Sequence, residues 1–146
     1  FSPYIAIIDK NLKIKKKSYL IKNAKYNKTF IFYNSRNHNK VKYLKSKKVK
    51  LIYTPESNNN LDINFILDKL YSYEITSVLV ESGKSLMTSL INNNFFNEFY
   101  LFISPERLKK RGSLKMNKVK TDLSRKFKNI IFNETYLFKD NLIHYY

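Results

Sequence analysis

The 146-residue chain has no cysteine and no tryptophan, and only two glycines, three prolines and two histidines. Without cysteine there can be no disulfide, no thiolate metal ligand and no thiol nucleophile. His38 and His144 stand too far apart in sequence to suggest a metal cluster by spacing. Glycine occurs only at Gly83 and Gly112, which rules out the dinucleotide-binding fingerprint Gly-x-Gly-x-x-Gly. Gly83-Lys84-Ser85 has the closing residues of a P-loop, but that loop requires an earlier glycine where this chain has Val78. No apolar run approaches the ~20 residues of a membrane-spanning helix. The first residues lack a basic segment followed by a long apolar one, so no secretory leader is expected. The expectation is a soluble, cytoplasmic protein with no membrane partner. A first residue of Phe in place of Met points to a piece of a longer protein.

Acidic residues are scarce as well: 11 Asp and Glu against 28 Lys and Arg leave a net charge of +17. Such an excess favours polyanions in general. Arginine, however, occurs only at Arg36, Arg107, Arg111 and Arg125, and nucleic-acid readers lean on Arg for bidentate contacts. Lys, Asn and Ile are raised together, including the runs at 58–60 and 92–94. That joint bias reads as compositional drift, so a solvated Lys-rich surface is expected and no specific nucleic-acid partner. A basic nucleic-acid-binding module remains the alternative from a different class.

What is present suffices for one core, with 43% hydrophobic residues and an aromatic share carried by 12 Tyr and 11 Phe. Short apolar runs predict strands at 4–9, 29–33, 49–53, 77–81 and 98–103. The first of these, at 4–8, reads as buried on both faces. Ile63, Ile66, Leu67 and Leu70 recur with helical spacing, predicting a helix over 62–73 that Asn60 or Asp62 can cap. Leu86, Met87, Leu90 and Ile91 predict a second helix over 84–93, fraying at 92–94. A short basic helix is expected near 39–48, and a loop with one helical turn over 10–28. A surface loop is expected over 109–122. Segments 130–138 and 142–146 flank Lys139-Asp140-Asn141 and predict a closing hairpin. The strands and this hairpin are expected to join one mixed sheet flanked by helices.

One segment carries functional grammar: Val78-Leu79-Val80-Glu81-Ser82-Gly83-Lys84-Ser85-Leu86, a strand, a turn and a helix start. A helix N-terminus offers unpaired N–H groups and partial positive charge to a phosphate. Gly83 lets a ligand approach with no Cβ in the way. Taken alone, such a junction is as often a plain connection as a site, and Glu81 could simply favour the helix start electrostatically.

Residues 75–86, read with Phe95-Phe96-Asn97-Glu98-Phe99-Tyr100-Leu101-Phe102-Ile103-Ser104-Pro105, resemble the reductase domain of the bifunctional riboflavin-biosynthesis deaminase/reductase family. That family reads I-x-S-[LV]-[LM]-V-E-G-G-x-x-L and then L-V-D-E-[LF]-x-[LV]-[FY]-[IV]-A-P. Ile5 to Lys13, with Asp9-Lys10-Asn11-Leu12-Lys13, is similar to the family's first strand and its D-S-x-L-R. The resemblance implies an α/β, dihydrofolate-reductase-like mixed sheet flanked by helices, with a C-terminal β-hairpin. It implies that residues 1–146 are the C-terminal portion of a single reductase domain, without the start of that domain and without the deaminase domain. The zinc deaminase pattern needs cysteines that this chain lacks.

The activity implied is NADPH-dependent reduction of 5-amino-6-(5-phosphoribosylamino)uracil, whose ribosyl group becomes ribityl by hydride addition at the sugar C1. Carried over by position, Glu81 holds the substrate through sugar hydroxyls. Gly83, Lys84, Ser85, Leu86, Met87, Thr88 and Ser89 line the cofactor, chiefly through backbone N–H groups. No metal is implied, and a homodimer is the assembly the family allows. Two residues depart from the pattern: Ser82 replaces the first glycine, and Lys10 replaces the Ser after the first-strand Asp. The Ser82 departure leaves room for a degenerate, non-catalytic reductase-like domain.

Overall fold

Residues 29–33 form the middle strand of a three-stranded sheet, four of the five being buried. The computed structural model describes residues 3–26, 28–105, 117–134 and 141–146. It divides into two units, Phe1–Val78 and Leu79–Tyr146.

The first unit runs β1 (Ile5–Ile8), α1 (Tyr19–Lys22), β2 (Thr29–Tyr33), α2 (His38–Ser46), β3 (Lys50–Tyr53), β4 (Glu56–Ser57), β5 (Asn60–Leu61) and α3 (Ile63–Tyr71). Strands β1, β2 and β3 form a parallel sheet in that order. Alternation along β2 sends Ile31 to one face and Phe30 and Phe32 to the other. Ile31 packs with Ile21 of α1 and Leu44 of α2. Phe30 and Phe32 pack with Ile66 and Leu70 of α3. The expectation that residues 4–8 are buried on both faces is corrected: β1 is a sheet edge, and Ala6 and Ile8 are exposed. The hydrophobic run marked a strand, but within this sheet only β2 has a neighbour on each side.

The second unit comprises α4 (Lys84–Asn92), β6 (Phe99–Ile103), α5 (Asn117–Lys126), β7 (Ile130–Glu134) and β8 (Asn141–Tyr145). Its antiparallel sheet has the order β6-β8-β7. Met87 and Ile91 of α4 and Val119 and Leu123 of α5 pack on Ile143 and Tyr145 of β8. Strands β7 and β8 pair as the expected hairpin does, while residues 135–138 of its first segment and 139–140 of its turn lie outside the described residues. Residues 117–122 are helical, not loop as expected, because Val119 and Leu123 share one face and are buried there. Residues 109–116 of that expected loop lie outside the described residues. Lys126 donates to the Ile91 carbonyl and, at 2.7 Å, to Asn94 Oδ1, tying α5 to the C-terminus of α4.

Two further expectations are corrected. The described strands form two three-stranded sheets and a small β4–β5 pair, not one sheet. Residues 77–81 form no strand: no described strand bonds to them, and Val78, Leu79 and Val80 are 44%, 85% and 37% exposed. An apolar run becomes a strand only when neighbours satisfy its backbone groups.

Glycine scarcity leaves its mark on the helix ends. Asn94 N–H bonds to Ile91 O and Phe95 N–H to Leu90 O, so α4 ends in a closed left-handed cap and does not fray. The same paired bonds close α2 around Lys48 and α3 around Glu74. All three turning residues have positive φ, 61° at Lys48, 62° at Glu74 and 57° at Asn94. Each does what glycine usually does there, at a cost of about 1–2 kcal/mol, lowest for Asn. Among the described residues no helix is long and apolar enough to cross a membrane.

Candidate functional site

Helix α4 opens directly after the segment that carries Glu81. Its N-cap is Gly83, at φ −74° and ψ 169°, and no side chain caps the helix. The N–H of Met87 is taken by Gly83 O at 3.2 Å, and later N–H groups enter the helix ladder. That leaves the N–H groups of Lys84, Ser85 and Leu86 without an intrahelical acceptor. A Cβ built on Gly83 would meet nothing within 4 Å. The backbone φ does not demand glycine, and the space beside it is open.

The candidate residues divide by environment. Glu81, Gly83 and Ser85 are exposed, while Ser82, Lys84, Leu86, Thr88 and Ser89 are half-buried. Met87 is buried in the core against α5 and β8, so its side chain holds the helix in place. All eight candidates from Glu81 to Ser89, Ser82 aside, fall within the second unit.

The first unit explains one departure from the family pattern. Asp9, at the end of β1, accepts from the N–H groups of Lys13 and Ile14 at 2.8 and 2.7 Å. This fixes the turn in which Leu12 takes a φ of 54°. Lys10 pairs with Glu56 at 2.6 Å and donates to Asn59 O at 2.7 Å. In place of a serine contact, the position anchors the β4–β5 turn, where Asn58 and Asn59 both have positive φ.

One cluster was not foreseen. The Tyr100 hydroxyl donates to Glu98 Oε2 at 2.7 Å, and His144 Nε2 lies 3.2 Å from the same oxygen. The Tyr100 and His144 rings stack 4.2 Å apart, 8° from parallel, with Tyr146 beyond at 4.9 Å. The Tyr100 hydrogen bond, then that from His144, holds the Glu98 carboxyl below its usual range. The same hydrogen bond, seen from Tyr100, raises the phenol. His144 is half-buried, and its partners depend on the β6–β8 register, which pairs Tyr100 with His144. His38 is exposed at the start of α2, as a solvated histidine would be. Among the described residues no group of His, Asp and Glu could hold a metal ion.

The riboflavin biosynthesis protein RibD of Buchnera aphidicola subsp. Baizongia pistaciae (strain Bp) is 30% identical over 60 residues, 41% of this chain and 16% of that protein. The crystal structure of a pyrimidine reductase-like protein from Corynebacterium diphtheriae matches with a TM-score of 0.73 at 16% identity. That match covers 98% of this chain and 60% of the other. The chain thus spans only part of the length of the proteins it matches. At this identity the structural match establishes the fold, a mixed α/β architecture of the dihydrofolate-reductase type. The family model of the RibD C-terminal domain matches residues 1–117. The chain belongs to the RibD C-terminal domain family.

Proposed function

We propose that this chain is the reductase portion of a riboflavin-synthesis enzyme, reducing the ribosyl group of 5-amino-6-(5-phosphoribosylamino)uracil to ribityl with NADPH. The observation that carries this reading is the open start of α4, where a Cβ on Gly83 meets nothing within 4 Å. An uncapped helix start with an unobstructed approach suits a phosphate of a nucleotide cofactor. The N–H groups of Lys84, Ser85 and Leu86 would hold that phosphate, and the Ser85 hydroxyl and Lys84 ammonium would add donors. Thr88 and Ser89, one turn on, can contribute hydroxyls, while Met87 supports the turn from the core.

When bound, the nicotinamide cofactor supplies the reducing equivalents. The chain's own part is to bind and orient. Glu81 precedes the helix start as an exposed carboxylate and is suited to accept from the sugar hydroxyls. A cytoplasmic setting, and a homodimer as the working assembly, belong to the same proposal.

Glu81→Gln tests it in the intact protein. The amide keeps the shape but loses the charge that strengthens such hydrogen bonds. Turnover or substrate affinity should fall about tenfold or more, with NADPH affinity within about twofold of wild type. Unchanged steady-state kinetics would remove Glu81 from the site.

A further inference from the structure

A cavity of about 310 Å³ opens at the N-terminal ends of β1, β2 and β3, the opposite edge from the strand carboxyl ends where α/β sheets ordinarily take ligands. Three lysines line it, Lys28, Lys48 and Lys50, and no carboxylate does. The ion pairs among the described residues involve none of the three.

Aromatic rings position the ammonium groups of Lys28 and Lys50. Lys50 Nζ lies 3.6 Å from the Tyr73 ring centroid and 5.6 Å from that of Phe30. Lys28 Nζ lies 4.8 Å from the Tyr4 centroid and donates to its hydroxyl at 3.2 Å. The rings support one another, Tyr4–Phe30 at 5.7 Å and Phe30–Tyr73 at 5.1 Å. Cation–π contacts of this kind hold a positive charge in place without neutralising it.

Another cavity of similar volume, lined by Ile91, Asn94, Phe96, Lys126 and Phe127, has a single lysine already bonded to the end of α4.

We propose that the cavity at the N-terminal edge of the β1–β3 sheet binds a compact, multiply charged phosphate anion of the pyrophosphate class. Lys28, Lys48 and Lys50 supply the charge. The ring faces are already covered by lysines, so the site recognises the anion and not a stacked base. This site is separate from the α4 cofactor reading, and neither depends on the other.

Calorimetric titration of the intact protein with inorganic pyrophosphate tests the proposal. Saturable binding that weakens with added salt is expected. Lys50→Gln and Lys48→Gln should each lose about tenfold in affinity, whereas Lys42→Gln, an equal charge change on the exposed side of α2, should stay within about twofold. A parallel titration with ADP separates the sources: tighter, Lys50-dependent ADP binding assigns an esterified diphosphate, and binding of pyrophosphate alone assigns the free anion. Absence of saturable pyrophosphate binding, or equal losses in Lys42→Gln and Lys50→Gln, would overturn the site. So would an oligonucleotide that binds without competition from pyrophosphate.

Discussion

Gly83→Val should weaken NADPH binding by about tenfold or more, a loss of roughly 1.4 kcal/mol, while the protein remains folded. The two effects separate because of where Gly83 stands. Its φ of −74° is open to any residue, and an added Cβ meets nothing within 4 Å. The change to the fold is therefore confined to the N-cap, where Val is a poorer residue than Gly by about 1 kcal/mol. A ligand phosphate seated on the N–H groups of Lys84, Ser85 and Leu86 would find the branched side chain in its path. Paired fluorescence titrations and thermal melts read both quantities. An NADPH affinity unchanged in a folded variant would place the cofactor elsewhere.

Leu123→Ala should cost about 2–5 kcal/mol of stability, measured as a lower urea midpoint at unchanged slope. Leu123 is 0% exposed and packs with Met87, Ile91, Val119, Ile143 and Tyr145. It is thus the main apolar tie between α5 and the rest of the second unit. Against a total stability of roughly 5–15 kcal/mol for an ordinary domain, such a loss is large. The variant should also loosen α4, whose buried face shares this cluster, and with it the helix start that the cofactor reading requires. A cost under about 1 kcal/mol would mean that α5 is not docked as described.

These two residues show what the sequence could and could not convey. Helix α3 was legible because Ile63, Ile66, Leu67 and Leu70 mark a full apolar stripe, and its cap is Asp62, accepting from Phe65 N–H at 3.2 Å. Helix α4 was legible for the same reason. Helix α5 was not: between its charged residues only Val119 and Leu123 point inward, a stripe too narrow to stand out from a basic loop. The apolar run at 77–81 erred in the other direction. Hydrophobicity marks a segment that wants burial, but pairing depends on partners distant in sequence, and no described strand supplies them. Left-handed caps at Lys48 and Glu74 were hidden because the usual signal is glycine.

The candidate site was legible as chemistry, since Glu81 and the Gly83 helix start are adjacent in sequence. The Glu98–Tyr100–His144 cluster was not, because it is assembled across strands and needs the β6–β8 register. The lysines of the proposed anion site were hidden for another reason. In a chain of net charge +17, three that share one cavity look like any others.

The most direct test follows backbone amide resonances of the intact protein during an NADPH titration. The account predicts saturable shifts at Lys84, Ser85 and Leu86, the N–H groups that α4 leaves without acceptors, and their loss in Gly83→Val. If those three resonances stay fixed while NADPH saturates the protein, or if NADPH does not bind at all, the assignment of the α4 start as the cofactor site is contradicted.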